Sequence, residues 1–562
     1  MKKEIILLLF VFIFFAKTGN TQSTLVPLND DYYHLLDRYQ ISRGKFADSF
    51  QYGAKGIGRK AVIEFLDTLL EDRTFPLNSV DFYNLDYLRA DSWEWSSSRT
   101  PDSEKRLLKH FYQKPSDFYN FQNDIVDFHL SPVTDNIVGK VGSDLTWLTT
   151  RGVELRGIIA KKVGFYSFVA DNQAVFPKYV FDYSNELYSV FAYQVWNLPG
   201  ETLVKKAFND KGADFMSARG YITFNPIKPI TFQFGHDRNF IGNGYRSLFI
   251  SDFSTPYMFL KITTHLGRLH YTNLFTRLLN NQVGVPIDKV IPKKFGAFHH
   301  LSFDITKKLN IGIFEAEIFT RDHGFDLDYV NPVIFYRWVE AYLGSGDNAL
   351  LGLEMRYDFM KHFSFYSQFL IDEFRTKTYF EEPNSWAKKY GFQAGLKYIN
   401  AFGINNLDLQ GEYNVVRPFT YSHKSGNSNY VHNNQPIAHP LGANFNEFIG
   451  IMHYQPVPRL TFHGTLMLAK KGTDADGKNW GGNILKSYDS RAQEYNNITG
   501  QGVATATTYA EMRASYMMRH NFFVDARLMM RKVSSPLASL NNNITMATVG
   551  IRLNIPYRQQ VF

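Results

Sequence analysis

Two arginines, Arg238 and Arg246, flank two glycines, Gly242 and Gly244, in a stretch that also carries Asp237, Asp252 and Pro256. A guanidinium can fork onto a carboxylate or phosphate through two parallel hydrogen bonds. Glycine lets the backbone turn through positive φ, so the stretch is a loop of definite shape. Two chemistries suit it. In the first, Asp237 and Asp252 pair with the arginines and hold the loop folded across a lumen, because buried polar groups must be satisfied. In the second, one arginine faces the lumen and holds an anionic sugar or phosphate. The two are compatible.

A second stretch, Phe325 to Glu340, carries Tyr329, Asn331, Pro332, Tyr336, Arg337 and Trp338. The tyrosines and the tryptophan offer flat apolar faces with polar tips, and Asn331, Arg337 and Glu340 offer donors and acceptors. That mixture suits stacking on sugar rings; the alternative is a loop helix packed into a barrel mouth. The polar stretches 418–442 and 471–504 suit either glycan contact or plain solvation, with solvation the expected state. Asp474, Asp476, Gly477 and Asn479 make only part of a calcium-loop pattern. His299, His300 and Ser302 bear on membrane-embedded hydrolysis, and strand alternation puts His300 and Ser302 on one face, but no acidic orienter follows at a fitting spacing. Phosphate loop, zinc motif and nucleophile elbow are absent from the sequence. The expectation is therefore a non-enzyme with no cofactor and no metal.

The elements that must position these residues come in three parts. Residues 1–23 read as a signal peptide: Lys2 and Lys3, an apolar run over 5–15 too short to span a bilayer, and small Thr21 and Ser23 before the cut. Residues 24–123 read as a periplasmic helical domain. Its helices are predicted from Tyr32, Leu35, Leu36 and Tyr39 (capped by Asn29 or Asp30), from Val62, Phe65, Leu66 and Leu69, from Phe82, Leu85 and Leu88 after Ser79, and from Leu107, Leu108 and Phe111. Residues 124–562 alternate with period two, as in Val524, Ala526, Leu528 and Met530 against Asp525, Arg527, Met529 and Arg531. One apolar and one polar face is the pattern of a transmembrane β-barrel.

Short connections alternate with long ones. Eight short turns, with one rising strand before them and one descending strand after, predict about 18 antiparallel strands. Phe562 provides the aromatic common at the end of such barrels, although Pro556 interrupts the strand before it. The chain has no cysteine, 50 Phe and 34 Tyr, and a net charge of +8 that falls to +6 without the first 23 residues. This mild positive bias suits a polyanion such as an acidic glycan or lipopolysaccharide, and nothing points to nucleic acid.

The run His236–Gly244 with Ser247–Asp252 and Pro256 resembles the signature loop of Wzi-type capsule-assembly outer-membrane proteins. Where that family has Trp-Gly-Pro-Gly, this chain has Phe240-Ile241-Gly242-Asn243-Gly244. The run Asn331–Arg337 resembles the Bacteroidetes branch of the family, and the Asn29–Tyr33 start and the length are similar to the gliding-motility proteins called RemB. The resemblance implies an 18-stranded outer-membrane barrel with a periplasmic helical bundle and a role in tethering surface polysaccharide. The motility likeness adds gliding or adhesion proteins as partners. The competing expectation is a porin-like channel for small solutes.

Overall fold

The computed structural model describes residues 22–562 apart from 73–74, 97–101, 104–109, 181, 184–194, 197, 202–203, 209–211, 281–290, 323, 332–334, 345, 374–375 and 383. The expected leader as far as residue 21, the expected fourth helix at Leu107 and Leu108, and Pro332 lie outside the described residues.

Eighteen antiparallel strands form one closed barrel, from Val126–Val141 round to Asn542–Leu553. The first strand closes on the last, from Thr134 opposite Leu553 to Val141 opposite Met546. Alternation decides which side chains face out. Val524, Leu528 and Met530 are exposed on the outer wall, while Asp525 and Met529 between them are buried inside. Closure leaves no strand edge unpaired, which is the condition for a sheet to span lipid.

The eight short turns all occur at one end. Two of them, at Ala160-Lys161 and Met360-Lys361, place both residues at φ between 51° and 59°, the left-handed pair that matches strand twist in a tight hairpin. The opposite end carries nine connections. Eight are long, and the first is only Gly142 and Ser143 between Val126–Val141 and Asp144–Ile159. The expected first strand therefore splits in two places: it reverses at Gly142, where φ is 58°. The last strand ends at Leu553, before Pro556.

Among the described residues three α-helices precede the barrel: α1 (Asp30–Arg43), α2 (Arg59–Glu71) and α3 (Ser79–Asp91). Asn29 caps α1 by accepting from the amides of Asp31 and Tyr32, and Gly44 ends it at φ 74°. Asn78 and Asp81 form a reciprocal capping box on α3. Tyr33, Leu36, Tyr39, Val62, Phe65, Leu66, Leu69, Leu85 and Leu88 pack into one apolar cluster. Phe82, expected on that face, is instead exposed.

The helices are not a free-standing domain. The polar face of α1 enters the barrel at the short-turn end, where Asp37 lies 2.7 Å from Arg356 and 2.5 Å from Lys397. Arg38 pairs with Asp408 at 2.5 Å, and Asp31 with Arg513 at 2.7 Å. Burial pushes the Asp31 and Asp37 carboxyls up, but Arg513 and Arg552 on the first, and Arg356 and Lys397 on the second, outweigh it and hold both below the usual range. An expected boundary at 123/124 also shifts, because Tyr119–Gln122 already pairs with the first barrel strand.

A candidate ligand cavity inside the barrel

The loop between strands Ile230–Asp237 and Tyr257–Leu266 turns into the lumen. Wall side chains hold its backbone. Glu412 accepts from the amides of Tyr245 at 2.7 Å and Arg246 at 3.0 Å, and Gln368 accepts from Leu248 at 2.8 Å. Lys397 donates to the Asn243 carbonyl at 2.7 Å. Gly244 is required by space: a Cβ there would stand 2.5 Å from Glu412 Oε2. The Gly242 amide donates to the Gly53 carbonyl at 2.7 Å, joining this loop to the helical segment. The apolar tip Leu248, Phe249 and Ile250 packs on Phe314, Leu350 and Leu370 of the wall and on Tyr421, Tyr430 and Ile437 of a second infolded loop.

That second loop corrects the expectation of a solvated 418–442 stretch. Ser422, Asn429, His432 and Asn433 are buried. Lys294 donates to the Asn429 carbonyl and side chain at 2.8 and 2.7 Å, and His432 Nε2 lies 3.2 Å from the Pro256 carbonyl. Its amides satisfy the lumen groups that infolding removes from water. In the 471–504 stretch, Asp476 and Asp489 are exposed but Asn479 is buried. Asp474 accepts from the Trp480 amide at 2.9 Å and pairs with Lys486.

The expected pairing within the Arg238–Asp252 loop does not form. Arg246 crosses to the wall, donating to Glu447 at 3.3 Å and to the Val561 carbonyl at 2.8 Å. Burial opposes its charge, but Glu447 outweighs this and holds the Arg246 guanidinium above its ordinary range. Asp237 approaches Arg219 at 4.0 Å, and Arg238 donates to the backbone carbonyl of Asp252 at 3.2 Å. The loop satisfies itself through wall groups far away in sequence, which local spacing cannot show.

These residues surround a cavity of about 210 Å³, lined by Arg219, Arg238, Arg246, Arg558, Asp30, Glu201, Asp252 and Pro256. Arg246 is tied down through one Nη, which serves both Glu447 and the Val561 carbonyl. Arg238 is half-buried, and its guanidinium hydrogen-bonds only the Asp252 carbonyl among the described residues. Arg219 stacks over Phe168 at 4.5 Å, and Arg558 donates to Asn172 at 3.0 Å. Glu201 accepts from Ser217 at 2.6 Å. Water in the cavity reaches Asp30, yet enclosure pushes its carboxyl up; Lys55 pulls it back, while Asp252 and Asp31 add to the rise. Spare guanidinium donors in a low-dielectric hollow are suited to binding a carboxylate or phosphate.

Three cavity groups were missed in the sequence. Arg219 was legible, because it shares the inward face of its strand with Phe215, Ser217 and Tyr221. Arg558 follows Pro556 in a segment, Ile555–Phe562, that runs back into the lumen. There Tyr179 donates to the Gln560 carbonyl at 3.0 Å, and Val561 and Phe562 are buried. Glu201 lies in a loop with no period to read.

The second predicted stretch is elsewhere. Tyr329 and Tyr336 are fully buried, Tyr329 donating to Asp347 at 2.7 Å and Tyr336 lying 2.5 Å from His299 Nε2. Phe275, Phe295, Ala297 and Phe319, against which they pack, belong to the outer face of the wall. Arg337 pairs with Glu340, Asn331 is exposed, and Trp338 is 82% exposed. The tyrosines therefore cannot stack on a sugar, and the stretch does not share a site with Arg238. His300 and Ser302 do face inward together; His300 Nε2 lies 2.6 Å from Glu354, which is thus the acidic neighbour absent from local sequence. Among the described residues no cluster of His, Asp and Glu could hold a metal ion.

No protein-family model matches the chain, and no curated protein matches it in sequence. Solved structures do match. Wzi, an outer-membrane protein involved in group 1 capsule assembly in Escherichia coli and a carbohydrate-binding β-barrel, aligns with 95% of this chain and 100% of its own at a TM-score of 0.57 and 12% identity. OprD of Pseudomonas aeruginosa aligns with 76% of this chain and 95% of its own, at a TM-score of 0.41 and 12% identity. The fold is thus that of an outer-membrane-type β-barrel, and the likeness to the first extends over the helical segment.

Proposed function

We propose that this chain is an outer-membrane β-barrel that holds surface polysaccharide through an anionic group bound in the arginine-lined cavity. The observation that carries it is Arg238, aimed at a cavity with most of its donors unspent and with Arg219 and Arg558 on the same hollow. The short-turn end, with the helices, faces the periplasm in this reading, and the long loops face outward. Solute conduction is disfavoured because α1 fills the lumen from one end and two loops fill it from the other. The Wzi-like fold supports a carbohydrate ligand. The protein acts as a binder, not an enzyme, with lipopolysaccharide around it and motility or adhesion proteins as further partners.

The test is the partition of polysaccharide between cells and medium, with colony spreading scored on the same cultures. A deletion strain and one carrying Arg238→Ala should both shed polysaccharide into the medium while total synthesis holds. Retained polysaccharide with failed spreading would replace the tether with a motility role. Stable porin-sized conductance of the purified protein in planar bilayers would replace it with a channel.

A further inference from the structure

The outer wall of a membrane barrel is normally apolar, because a charged or hydrogen-bonding side chain facing hydrocarbon is costly. Charged side chains do stand exposed on this outer wall, as Arg151 opposite Asp171, but one group of polar side chains there is buried under other protein. On strands Lys293–Asp304 and Leu309–Phe319 the inward positions are fixed by His300, which meets Glu354, and by Phe314, which stacks on Phe249 of the infolded loop at 4.5 Å. Alternation then sends His299, Glu315 and Glu317 outward. All three are buried nonetheless, while Phe303, Ile311 and Ile313 below them on the same face are exposed. Glu315 is opposite Leu351 on the next strand, and Leu351 is exposed, so the carboxylate is level with the apolar belt.

What covers them is the chain on either side of residues 332–334, at 325–331 and 335–343. It leaves the long-loop end and folds back down the outside. Phe325 meets Phe319 at 5.1 Å, Tyr329 stacks on Phe319 at 4.6 Å, and Tyr336 lies over His299 at 4.1 Å. Glu315 accepts from the amides of Phe335 at 2.5 Å and Arg337 at 3.3 Å, pinning the start of the helix Arg337–Leu343. Phe335 is held at φ 98°, a conformation rare for a side-chain-bearing residue, and Glu315 is what holds it. Neither oxygen of Glu317 has a hydrogen-bond partner among the described residues, so without this cover it would face lipid bare.

The opposite surface of the segment carries four large apolar side chains, with Asp328, Asn331 and Arg337 as its exposed polar groups. Leu327, Phe335, Trp338 and Tyr342 are 78%, 59%, 82% and 88% exposed. On the wall that the segment lies against, Ile311, Ile313 and Leu351 are exposed as well. We propose that residues 325–331 and 335–343 form a strap lying in the outer leaflet, with Trp338 and Tyr342 among the lipid acyl chains and headgroups and His299, Glu315 and Glu317 sealed beneath. Trp and Tyr are the side chains favoured at that depth. The inference rests on the membrane assignment above and not on the polysaccharide one.

The test uses the full chain in phosphatidylcholine vesicles whose acyl chains carry bromine at set depths. Trp147 is an outward residue of strand Asp144–Ile159, directly opposite the exposed Val138 on the neighbouring strand, and it serves as a reference for lipid contact. Fluorescence lost in Trp338→Phe, and separately in Trp147→Phe, is taken as each residue's own signal. The expected result is that bromolipid quenches the Trp338 signal, most strongly with shallow bromine, and that aqueous iodide does not. A Trp338 signal quenched by iodide and not by bromolipid overturns the strap, provided Trp147 is quenched by bromolipid. Shielding from both quenchers, with the protein sedimenting as a dimer, also overturns it and assigns the face to a second copy. If Trp147 too escapes bromolipid, the membrane assignment fails and the strap fails with it.

Discussion

The Asp37 carboxylate and the Arg356 guanidinium meet at 2.7 Å, and through them the helical segment is bolted to the inner wall of the barrel. Both are almost wholly buried, and Lys397 shares the same carboxylate. Removing one member of such a group leaves uncompensated charge in the interior, at a cost of about 3–5 kcal/mol. Asp37→Ala should therefore loosen α1 before it unfolds the barrel. Planar-bilayer recording should show openings that the wild type lacks, together with a lower first melting transition. A silent variant with unchanged melting would mean that the pair does not hold the plug.

The pH dependence of the plug has a definite sign. Asp31 and Asp37 are held below the ordinary carboxylate range by their basic partners. A carboxyl depressed on folding contributes stability that is complete above its unfolded value, about 3.9, and is lost as pH falls through the lower folded value. From these two groups the melting temperature should be unaffected between pH 7 and about 5, and should fall below about 4. Calorimetry across that range checks this; Asp31→Asn with Asp37→Asn should flatten the acid limb.

The two loop arginines should separate. Arg246 is tied through one Nη to Glu447 and the Val561 carbonyl, so Arg246→Ala removes the cation that faces a buried carboxylate and should lower stability by about 3 kcal/mol. Among the described residues the Arg238 guanidinium makes a single hydrogen bond, so Arg238→Ala should leave the melting temperature within a degree or two, about 0.5 kcal/mol, and release polysaccharide. Heat-modifiability on a gel reports the first effect and the cell-to-medium partition the second. Equal behaviour of the two variants on both readouts would remove Arg238 from the ligand site.

Tyr329 should prove structural. Tyr329→Phe removes a hydrogen bond to a carboxylate, worth about 1.5–3 kcal/mol, from beneath the strap. Protease cleavage between residues 321 and 346 should accelerate, and polysaccharide retention should stay at the wild-type level. Loss of retention without faster cleavage would restore a ligand role to this tyrosine.

Much of the architecture was legible from period and punctuation. Alternation such as Val524 to Arg531 separates an apolar from a polar face locally, because side chains of a strand point to opposite sides whatever lies beyond. The eight short turns are equally local, since each is settled by a few residues of its own, as where Ala160 and Lys161 take left-handed φ. The count of strands followed from them, and the missed hairpin at Gly142 did not disturb it. The inward-turning loop was also visible, as glycines and arginines with no strand period.

What the sequence left open was every choice between partners far apart in the chain. Arg246 could pair with Asp252 or with any lumen acid, and only closure of the barrel brings Glu447 to it, because charge attraction selects by distance in space. The polar stripe Asp31, His34, Asp37 and Arg38 on α1 reads as a solvated face until the lumen supplies Arg513, Asp408 and Arg356. The Tyr329–Trp338 segment shows the limit most plainly: its composition fits a sugar platform, a mouth plug or a lipid-facing strap. The outward direction of His299, Glu315 and Glu317, set by register across four strands, decided that it lies on the outside.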